Sequence, residues 1–480
     1  MNPRHLSLEQ LENKTVLTSI AFASVGSSAE QEWAAEQTKL ADVDRNGTLD
    51  VVALEAIEGN LFGIAGGSTN FANPELLSED IFTSFDVQDL DGDGDVDIVA
   101  SQASQLVWLP NDGDGNFGPI RAIGSLNGVA EVRAVDMDAD GDLDLLARTN
   151  RTSIFSNFRI VAIKNTDGKG SFGEWTTVVN SASGGYTLDV GDVDADGDVD
   201  IITTTSEGFV FHPNLDGLGQ FGHARTLLPT LEPIGAVAVA DINGDARTDI
   251  AFASFSPAST VLLTSNADGS WSQTRLLTNA PVERALQFGD LDNDGDQDLV
   301  FGNGDYLIGG QLSWLENQQG EFNSTAQVWS SAQSGFVDIE LQDLDADGDL
   351  DIFAVSNSLV SSLRWFQNRP VGDSNNDGVF DTSDLIRVFQ AGQYEDGVAK
   401  NSSFDEGDWN GDGEFDTADM VFAFQAATFV KEVSPLNFDH AVGIDSLFAS
   451  AEFVNRRFSS AKGQSEIVQP LGQILPRPAK

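Results

Sequence analysis

The sequence lacks cysteine and contains only four histidines among its 480 residues. The missing cysteines exclude disulfide bonds, thiolate metal ligands and a cysteine nucleophile. No two histidines have the HExxH spacing of a zinc hydrolase. His212 and His223 are the closest pair; we weigh them as a catalytic pair against two unrelated surface residues and favour the second interpretation. No apolar run is long enough to cross a bilayer.

Positive charge is also scarce. The chain has 25 Lys and Arg against 76 Asp and Glu, a formal net charge of −51. Such a surface would repel phosphate backbones and anionic membranes, so we expect no nucleic-acid or lipid partner. The acidic residues do not form one tail; they recur in short loops at a fixed spacing, which predicts local cation binding.

The main feature of the sequence is a sevenfold repeat. The pattern D-x-D-x-[DN]-G-x-x-D begins at six aspartates and a degenerate copy begins at a seventh; in chain order the starts are Asp42, Asp89, Asp136, Asp192, Asp241 (the degenerate copy), Asp290 and Asp343. Successive starts are separated by 47, 47, 56, 49, 49 and 53 residues. Each unit has a strand-like stretch before the loop, further strand-like stretches after it, and a glycine-rich turn that leads to an aromatic residue. Units of this length predict the blades of a β-propeller.

The predicted fold class is mainly β: a seven-bladed propeller over residues 15–370, followed by a small α-helical domain. The last unit ends without its outer strand, whereas a spare strand-like stretch lies near residues 16–23. We expect this stretch to complete the last blade and close the ring, which would leave only short sheet edges. An open β-solenoid of seven units is the alternative architecture.

The repeated loops have the chemistry of calcium sites. Calcium takes six to eight oxygen ligands, whereas magnesium retains more water, so calcium is preferred. A nine-residue turn supplies oxygens from side chains at positions 1, 3, 5 and 9 and from a carbonyl at position 7, and glycine at position 6 permits a positive φ. In loops one to four the predicted ligands are Asp42, Asp44, Asn46, Thr48, Asp50, Asp89, Asp91, Asp93, Asp95, Asp97, Asp136, Asp138, Asp140, Asp142, Asp144, Asp192, Asp194, Asp196, Asp198 and Asp200. In loops five to seven they are Asp241, Asn243, Asp245, Arg247, Asp249, Asp290, Asp292, Asp294, Asp296, Asp298, Asp343, Asp345, Asp347, Asp349 and Asp351.

These units resemble FG-GAP/VCBS repeats, the blades of the integrin-α-type propeller, over about residues 15–370. The resemblance implies that the ions brace the fold and that the blade loops face extracellular proteins or glycans. In loop five Ala246 replaces the turn glycine, so we expect weak calcium binding there or none. Trp108, Trp314 and Trp365 share one strand position, which favours packing in the core over a carbohydrate platform.

After Pro370 two twelve-residue loops have the ligand pattern of EF-hand calcium sites. Oxygens stand at positions 1, 3, 5, 7 (carbonyl), 9 and 12, and Gly378 and Gly413 occupy position 6. Each loop leads into an apolar helix, so the chain would hold up to nine calcium ions. The predicted ligands are Asp373, Asn375, Asp377, Val379, Asp381 and Asp384 in the first loop and Asp408, Asn410, Asp412, Glu414, Asp416 and Asp419 in the second.

This tandem, residues 371–430, resembles a type I dockerin, because aspartate stands at position 12 and each loop has one helix. The resemblance implies a cohesin-like partner, contacted by loop positions 10 and 11, which are Thr382, Ser383, Thr417 and Ala418. A purely structural calcium module is the alternative. Residues 431–480 are expected to be a tail, mostly disordered, with one short helix over 441–453.

Residues 1–14 are expected to be leader-like or disordered, and residues 6–17 resemble a leader-region motif of planctomycete exported proteins. We therefore expect a secreted or cell-surface bacterial protein, monomeric, that acts as a binding or adhesion module for an extracellular protein or polysaccharide. A calcium-stabilised polysaccharide lyase or hydrolase and a structural envelope or matrix component are the alternatives. The enzyme is less favoured because calcium binding already accounts for almost every aspartate cluster.

Overall fold

The computed structural model of the protein describes residues 20–27 (backbone), 35–66, 74–102, 104–149, 157–181, 187–205, 208–229, 234–255, 258–278, 283–304, 310–323, 327–332, 335–356, 362–410, 413–425 and 429. The expected leader (1–14), the tail (431–480) and its helix (441–453) lie outside the described residues. Among the helices that are described, none is long and apolar enough to cross a membrane.

Seven four-stranded antiparallel sheets make up most of the chain, as the repeat predicts. Blade one consists of β2 (Ala35–Ala41), β3 (Asp50–Glu55), β4 (Leu61–Ile64) and β5 (Glu75–Ser78), and blade two of β6 (Phe82–Gln88), β7 (Asp97–Gln102), β8 (Gln105–Leu109) and β9 (Arg121–Ser125). Blade three consists of β10 (Val129–Val135), β11 (Asp144–Thr149), β12 (Phe158–Ile163) and β13 (Thr176–Ser181). Blade four consists of β14 (Leu188–Gly191), β15 (Asp200–Thr205), β16 (Gly208–His212) and β17 (Arg225–Leu228). Blades five and six consist of β18 (Ile234–Ala240), β19 (Asp249–Phe255), β20 (Ala258–Ser265) and β21 (Trp271–Thr278); and β22 (Glu283–Gly289), β23 (Asp298–Asn303), β24 (Gly310–Leu315) and β27 (Gln327–Ala332), with a small hairpin of β25 (Asn317–Gln318) and β26 (Glu321–Phe322) between the last two.

Blade seven is completed by the N-terminal strand. It contains β28 (Phe336–Gln342), β29 (Asp351–Ser356), β30 (Ser362–Pro370) and, as its outer strand, β1 (Ile20–Ser27). The pairing is antiparallel and runs from Ile20 opposite Pro370 to Ser27 opposite Arg364. The prediction that an N-terminal strand closes the ring is therefore confirmed.

The hydrophobic core is divided among the interfaces between blades. Seven buried clusters each join two successive sheets, and the one between blades seven and one joins Phe353 and Trp365 to Val51. The second strand of each blade is covered on both faces, so β3 is buried along its whole length. Burial of one large apolar side chain stabilises the folded protein by about 1.5–3 kcal/mol. Each sheet buries its apolar faces against its two neighbours, so the ring depends on every interface between blades. This architecture excludes the open solenoid, because the first and last sheets pack together.

The first strands of the blades surround a central channel of about 640 Å³. Charged side chains pair across neighbouring blades on one side of it: Lys39 Nζ lies 2.8 Å from Glu340 Oε1, and Arg133 Nη1 lies 2.8 Å from Asp189 Oδ1. On the side of blade five the wall is built of small apolar residues such as Ala236 and Ala238.

A small helical module follows blade seven directly. Its helices are α1 (Thr382–Ala391) and α2 (Thr417–Gln425), with a single 3-10 turn at Phe404–Glu406 between them. The buried Arg369, near the end of β30, donates a hydrogen bond to Asp405 of that turn at 2.8 Å. The module is thus held against the strand that pairs with β1.

Candidate metal centres

All seven predicted blade loops connect the first and second strands of their blades. The first strands run in the same direction around the channel, so the seven loops lie on one face of the ring. Below, blade loops one to seven are the nine-residue segments that begin at Asp42, Asp89, Asp136, Asp192, Asp241, Asp290 and Asp343.

The aspartate at position 1 organises the backbone of each loop. In blade loop one, Asp42 Oδ1 accepts a hydrogen bond from the N–H of Asn46 at 3.0 Å, and Asp42 Oδ2 accepts one from Gly47 at 2.9 Å. The same two bonds recur in loops four, five, six and seven. The carboxylate therefore lies inside a turn of backbone N–H groups at a defined place.

The aspartate at position 9 is the most buried member of each set. In blade loop six, Asp298 Oδ2 accepts from the N–H of Leu291 at 3.1 Å, and Oδ1 accepts from the N–H of Asn317 at 2.8 Å. Burial still raises the pKa of Asp298 to about 8 and that of Asp351 to about 7. A nearby cation would favour the charged form of such a carboxyl group.

The aspartate at position 3 gives the strongest evidence for a bound cation. In blade loops two, three and four, Oδ1 of Asp91, Asp138 and Asp194 is buried and has no hydrogen-bond partner. A buried carboxylate oxygen without a partner is costly, because it has lost its water. A cation at the centre of the loop would satisfy it.

The side-chain oxygens of positions 1, 3 and 9 converge. In blade loops one to four one oxygen from each of these three aspartates lies within 4.8 Å of the others, and a similar triplet of positions 1, 3 and 5 occurs in loop six. Two oxygens that share a calcium ion at about 2.3–2.6 Å lie within about 5 Å of each other, so the observed spacing fits a shared ion. All the donors are hard oxygens, so the set fits calcium and not a thiolate or imidazole metal.

Every blade loop needs left-handed backbone at position 4 as well as at position 6. Position 4 is occupied by a residue other than glycine in most loops, for example Arg45 with φ 55° and Asn293 with φ 56°. Ala246, at position 6 of loop five, has φ 62° and its N–H reaches Asp241 Oδ2 at 2.7 Å. Loop five thus keeps the fold of the others, at a backbone cost of about 1–2 kcal/mol. The strain at position 6 was predictable from the Ala246 substitution, whereas the left-handed backbone at position 4 is visible only in the structure.

In blade loops two and six the side chain at position 7 contacts a segment outside its own loop. Asp95 of blade loop two pairs with Arg45 of loop one at 2.5 Å. Asp296 of loop six accepts a hydrogen bond from the N–H of Gln319 at 2.7 Å.

The two twelve-residue loops have the same internal hydrogen bonds. Asp373 Oδ2 accepts from the N–H of Gly378 at 2.8 Å, and Asp408 Oδ2 accepts from that of Gly413 at 2.8 Å. At position 12, Asp384 lies in the first turn of α1 and forms a capping box with the N-cap residue Asp381, and its two oxygens accept from the N–H groups of Asn375 and Asp381. Asp419 makes the corresponding bonds with Asn410 and Asp416, and the predicted ligand Asp412 lies outside the described residues.

The two halves of the module pack in equivalent ways, in keeping with the duplicated loop and helix in the sequence. Phe389 of α1 packs against Phe415 of the second loop at 5.7 Å between ring centroids, and Phe424 of α2 packs against Phe380 of the first loop at 5.6 Å. Each helix thus covers the other loop. The Trp409 indole N–H donates to Ser374 Oγ at 2.9 Å and joins the two halves.

The structure decides the role of several aromatic and histidine residues. Trp108, Trp314 and Trp365 are all buried, so the prediction that they belong to the core is confirmed. His212 is buried too, with Nδ1 3.1 Å from the carbonyl of Gly222, and burial lowers its pKa. It is therefore a core residue and not the surface residue that the sequence suggested.

One set of buried asparagines escaped the sequence analysis. Asn317 follows the third strand of blade six, and its Nδ2 donates to the carbonyl of Ile242 in blade loop five at 2.7 Å. Equivalent asparagines link each of blades two, three, four and seven to the preceding loop; they are Asn111, Asn165, Asn214 and Asn368. The recurring Asn after the third strand was a visible signal, but only the structure shows that it reaches another blade.

Comparison with known proteins agrees with this architecture. Residues 89–147, 241–301 and 290–354 match the FG-GAP-like repeat family. The solved structure of BBS1N in complex with ARL6DN is similar in fold, with a TM-score of 0.51, 10% identity, and coverage of 72% of this chain and 96% of that one. An Agrocybe aegerita lectin that recognises non-reducing terminal N-acetylglucosamine has a TM-score of 0.48 and 19% identity, over 62% of this chain and 81% of that one. No curated protein sequence matches the chain. The chain is therefore a seven-bladed β-propeller in which three stretches match the FG-GAP-like repeat.

Proposed function

We propose that this protein is a secreted or cell-surface binding module whose propeller is braced by calcium. The observation that carries the calcium proposal is the buried, unpartnered Oδ1 of the position-3 aspartates, close to the carboxylates of positions 1 and 9. Calcium would supply the missing partner and offset the repulsion among the carboxylates of one loop. The loops supply oxygen ligands of the type and number that calcium requires.

The calcium proposal is tested on the whole chain after removal of divalent ions with EDTA. Isothermal titration calorimetry should show several calcium sites, and the melting temperature should rise with calcium concentration. At a free concentration one hundred times the Kd, each site adds about 2.7 kcal/mol to the free energy of unfolding. Magnesium at equal concentration is the matched control and should have a much smaller effect. A titration with no binding heat and no change in melting temperature would contradict the proposal.

The binding function rests on where the loops lie. A rigid ring presents seven acidic loops on one face, and calcium ions bound in these loops would be exposed to a ligand on that face. Protein or glycan ligands that carry carboxylate or hydroxyl groups suit such a face, because calcium can complete its coordination with their oxygens. Leu215 and Leu218, exposed in the turn of blade four beside these loops, add apolar contact area.

The ligand class is tested with arrays of polysaccharides and extracellular matrix proteins, probed with the calcium-loaded chain. Retention that EDTA abolishes supports a binding module and identifies its ligand class. Release of soluble oligosaccharides during the same incubation would instead indicate an enzyme. Absence of retention on both arrays would contradict the proposed ligand classes.

For residues 371–430 we propose a structural calcium module. The hydroxyls at the positions that would face a cohesin already have partners inside the module: Ser383 Oγ accepts from Asn375 Nδ2 at 2.6 Å, and Thr417 Oγ1 donates to Glu395 at 2.9 Å. Arg369 also joins the module to blade seven. Binding of the chain to an immobilised type I cohesin would overturn this assignment in favour of docking.

A further inference from the structure

In blade loops three and four the aspartate at position 3 is already paired with a cation that belongs to the protein. Lys164 Nζ donates to Asp138 Oδ2 at 2.7 Å in blade loop three, and Arg225 Nη1 donates to Asp194 Oδ2 at 3.0 Å in loop four. Both aspartates stand at position 3, and in both the other oxygen, Oδ1, is buried without a partner. In each carboxylate Oδ2 is therefore paired with a Lys or Arg side chain, whereas Oδ1 remains available to an ion at the centre of the loop.

The fold holds both cations in place. Lys164 directly follows β12, and its Nζ also donates to the carbonyl of Leu218 in blade four at 2.5 Å. Arg225 opens β17, and its guanidinium lies 5.5 Å from the centre of the Phe211 ring. Two contacts hold each cation beside its loop, while the side chains of Lys164 and Arg225 remain 45% and 56% exposed.

In blade six the same position carries the opposite charge. Lys164 precedes Asn165, and Glu316 precedes Asn317, the equivalent asparagine. Glu316 is only 2% exposed and lies near enough to Asp292 and Asp294 to feel their charge. The position is neutral in blades two, four and seven, where it holds Pro110, Pro213 and Gln367.

We propose that a charged side chain beside the position-3 aspartate sets the calcium affinity of its own blade loop, an inference that rests on the proposed calcium binding; in blades three and six this side chain is the residue before the asparagine. Lys164 lowers the affinity of loop three because its charge opposes the incoming ion and already neutralises Asp138. Glu316 raises the affinity of loop six by adding a buried negative charge beside it. Arg225 acts on loop four as Lys164 does on loop three. Loop six therefore fills at lower calcium concentration than loops three and four.

Lys164→Met tests the first half of the proposal, with Lys169→Met, an exposed lysine in the same turn, as the matched control. Calorimetric titration of the EDTA-treated variant should show one site with an affinity about tenfold higher than in the wild type. Its melting temperature in EDTA should fall, because Asp138 has lost its partner, and its melting temperature in calcium should stay unchanged. Arg225→Met should reproduce this behaviour at loop four and serves if Lys164→Met does not fold.

Glu316→Gln tests the second half, with the exposed Glu321→Gln as its control. One site should weaken about tenfold because a neighbouring negative charge is removed. If the wild type binds calcium but Lys164→Met, Arg225→Met and Glu316→Gln titrate like the wild type, the proposal is overturned. A wild type that binds no calcium would instead overturn the proposed function itself, so the two failures are distinguishable.

Discussion

Asp338 of blade seven accepts two hydrogen bonds from Thr38 of blade one, one from its backbone N–H at 2.9 Å and one from its hydroxyl at 2.7 Å. The two residues are 300 positions apart. Both lie on first strands at the channel wall, whereas β1 and β30 close the ring at its outer rim. Blades seven and one are therefore joined twice, by the Asp338–Thr38 hydrogen bonds beside the channel and by the pairing of β1 with β30 at the outer rim.

Replacement of Asp338 by alanine should weaken the inner joint. The N–H of Thr38 would lose its acceptor in a partly buried place, which costs about 1–3 kcal/mol. Urea unfolding in calcium would measure the loss. Asp80→Ala, an exposed aspartate beside β5, is the control and should change the free energy of unfolding by less than about 0.5 kcal/mol. Equal losses in the two variants would contradict a role in ring closure.

Removal of residues 1–27 should open the outer joint, because β30 would lose its partner strand β1. The exposed edge of β30 would then be free to pair with other molecules. We expect a lower melting temperature and concentration-dependent aggregation, measured by light scattering. A truncation of residues 1–19 keeps β1 and should behave like the full chain. Identical behaviour of the two truncations would show that β1 contributes nothing to closure.

Asp91→Ala should have opposite effects with and without calcium. In calcium the variant should bind one ion fewer and melt at a lower temperature, because position 3 of blade loop two is lost. In EDTA it should melt at the same temperature as the wild type or higher, since one of several repelling carboxylates is gone. Asp114→Ala, exposed in the turn of the same blade, should leave the stoichiometry intact. A variant that keeps every calcium ion would show that Asp91 is not a ligand.

Asn317→Ala should uncouple blade six from blade loop five. The buried carbonyl of Ile242 would lose its donor, at a cost of about 1–3 kcal/mol in the free energy of unfolding. Asn266→Ala, in the exposed turn of blade five, removes only local hydrogen bonds and should cost much less. Unfolding in guanidinium chloride would compare the two, and equal costs would contradict the inter-blade link.

The sequence predicted the parts of the structure that depend on neighbouring residues. A nine-residue loop such as that at Asp42 is organised by bonds from its first aspartate to N–H groups four and five positions later, so its pattern is readable in one dimension. The strand before it and the strand after it follow from alternation of apolar residues. Seven such units, with one strand missing at the end and one spare at the start, also predicted the closed ring.

Tertiary structure alone decided which distant residues meet. The asparagine bridges and the cation of Lys164 on Asp138 arise when adjacent strands or blades bring together residues well separated in sequence. The same holds for Arg369, whose partner Asp405 becomes visible only when the module lies against blade seven. Local backbone rules thus determined the blades and their loops, whereas packing of each sheet on the next determined the charges around every loop and how the ring is joined.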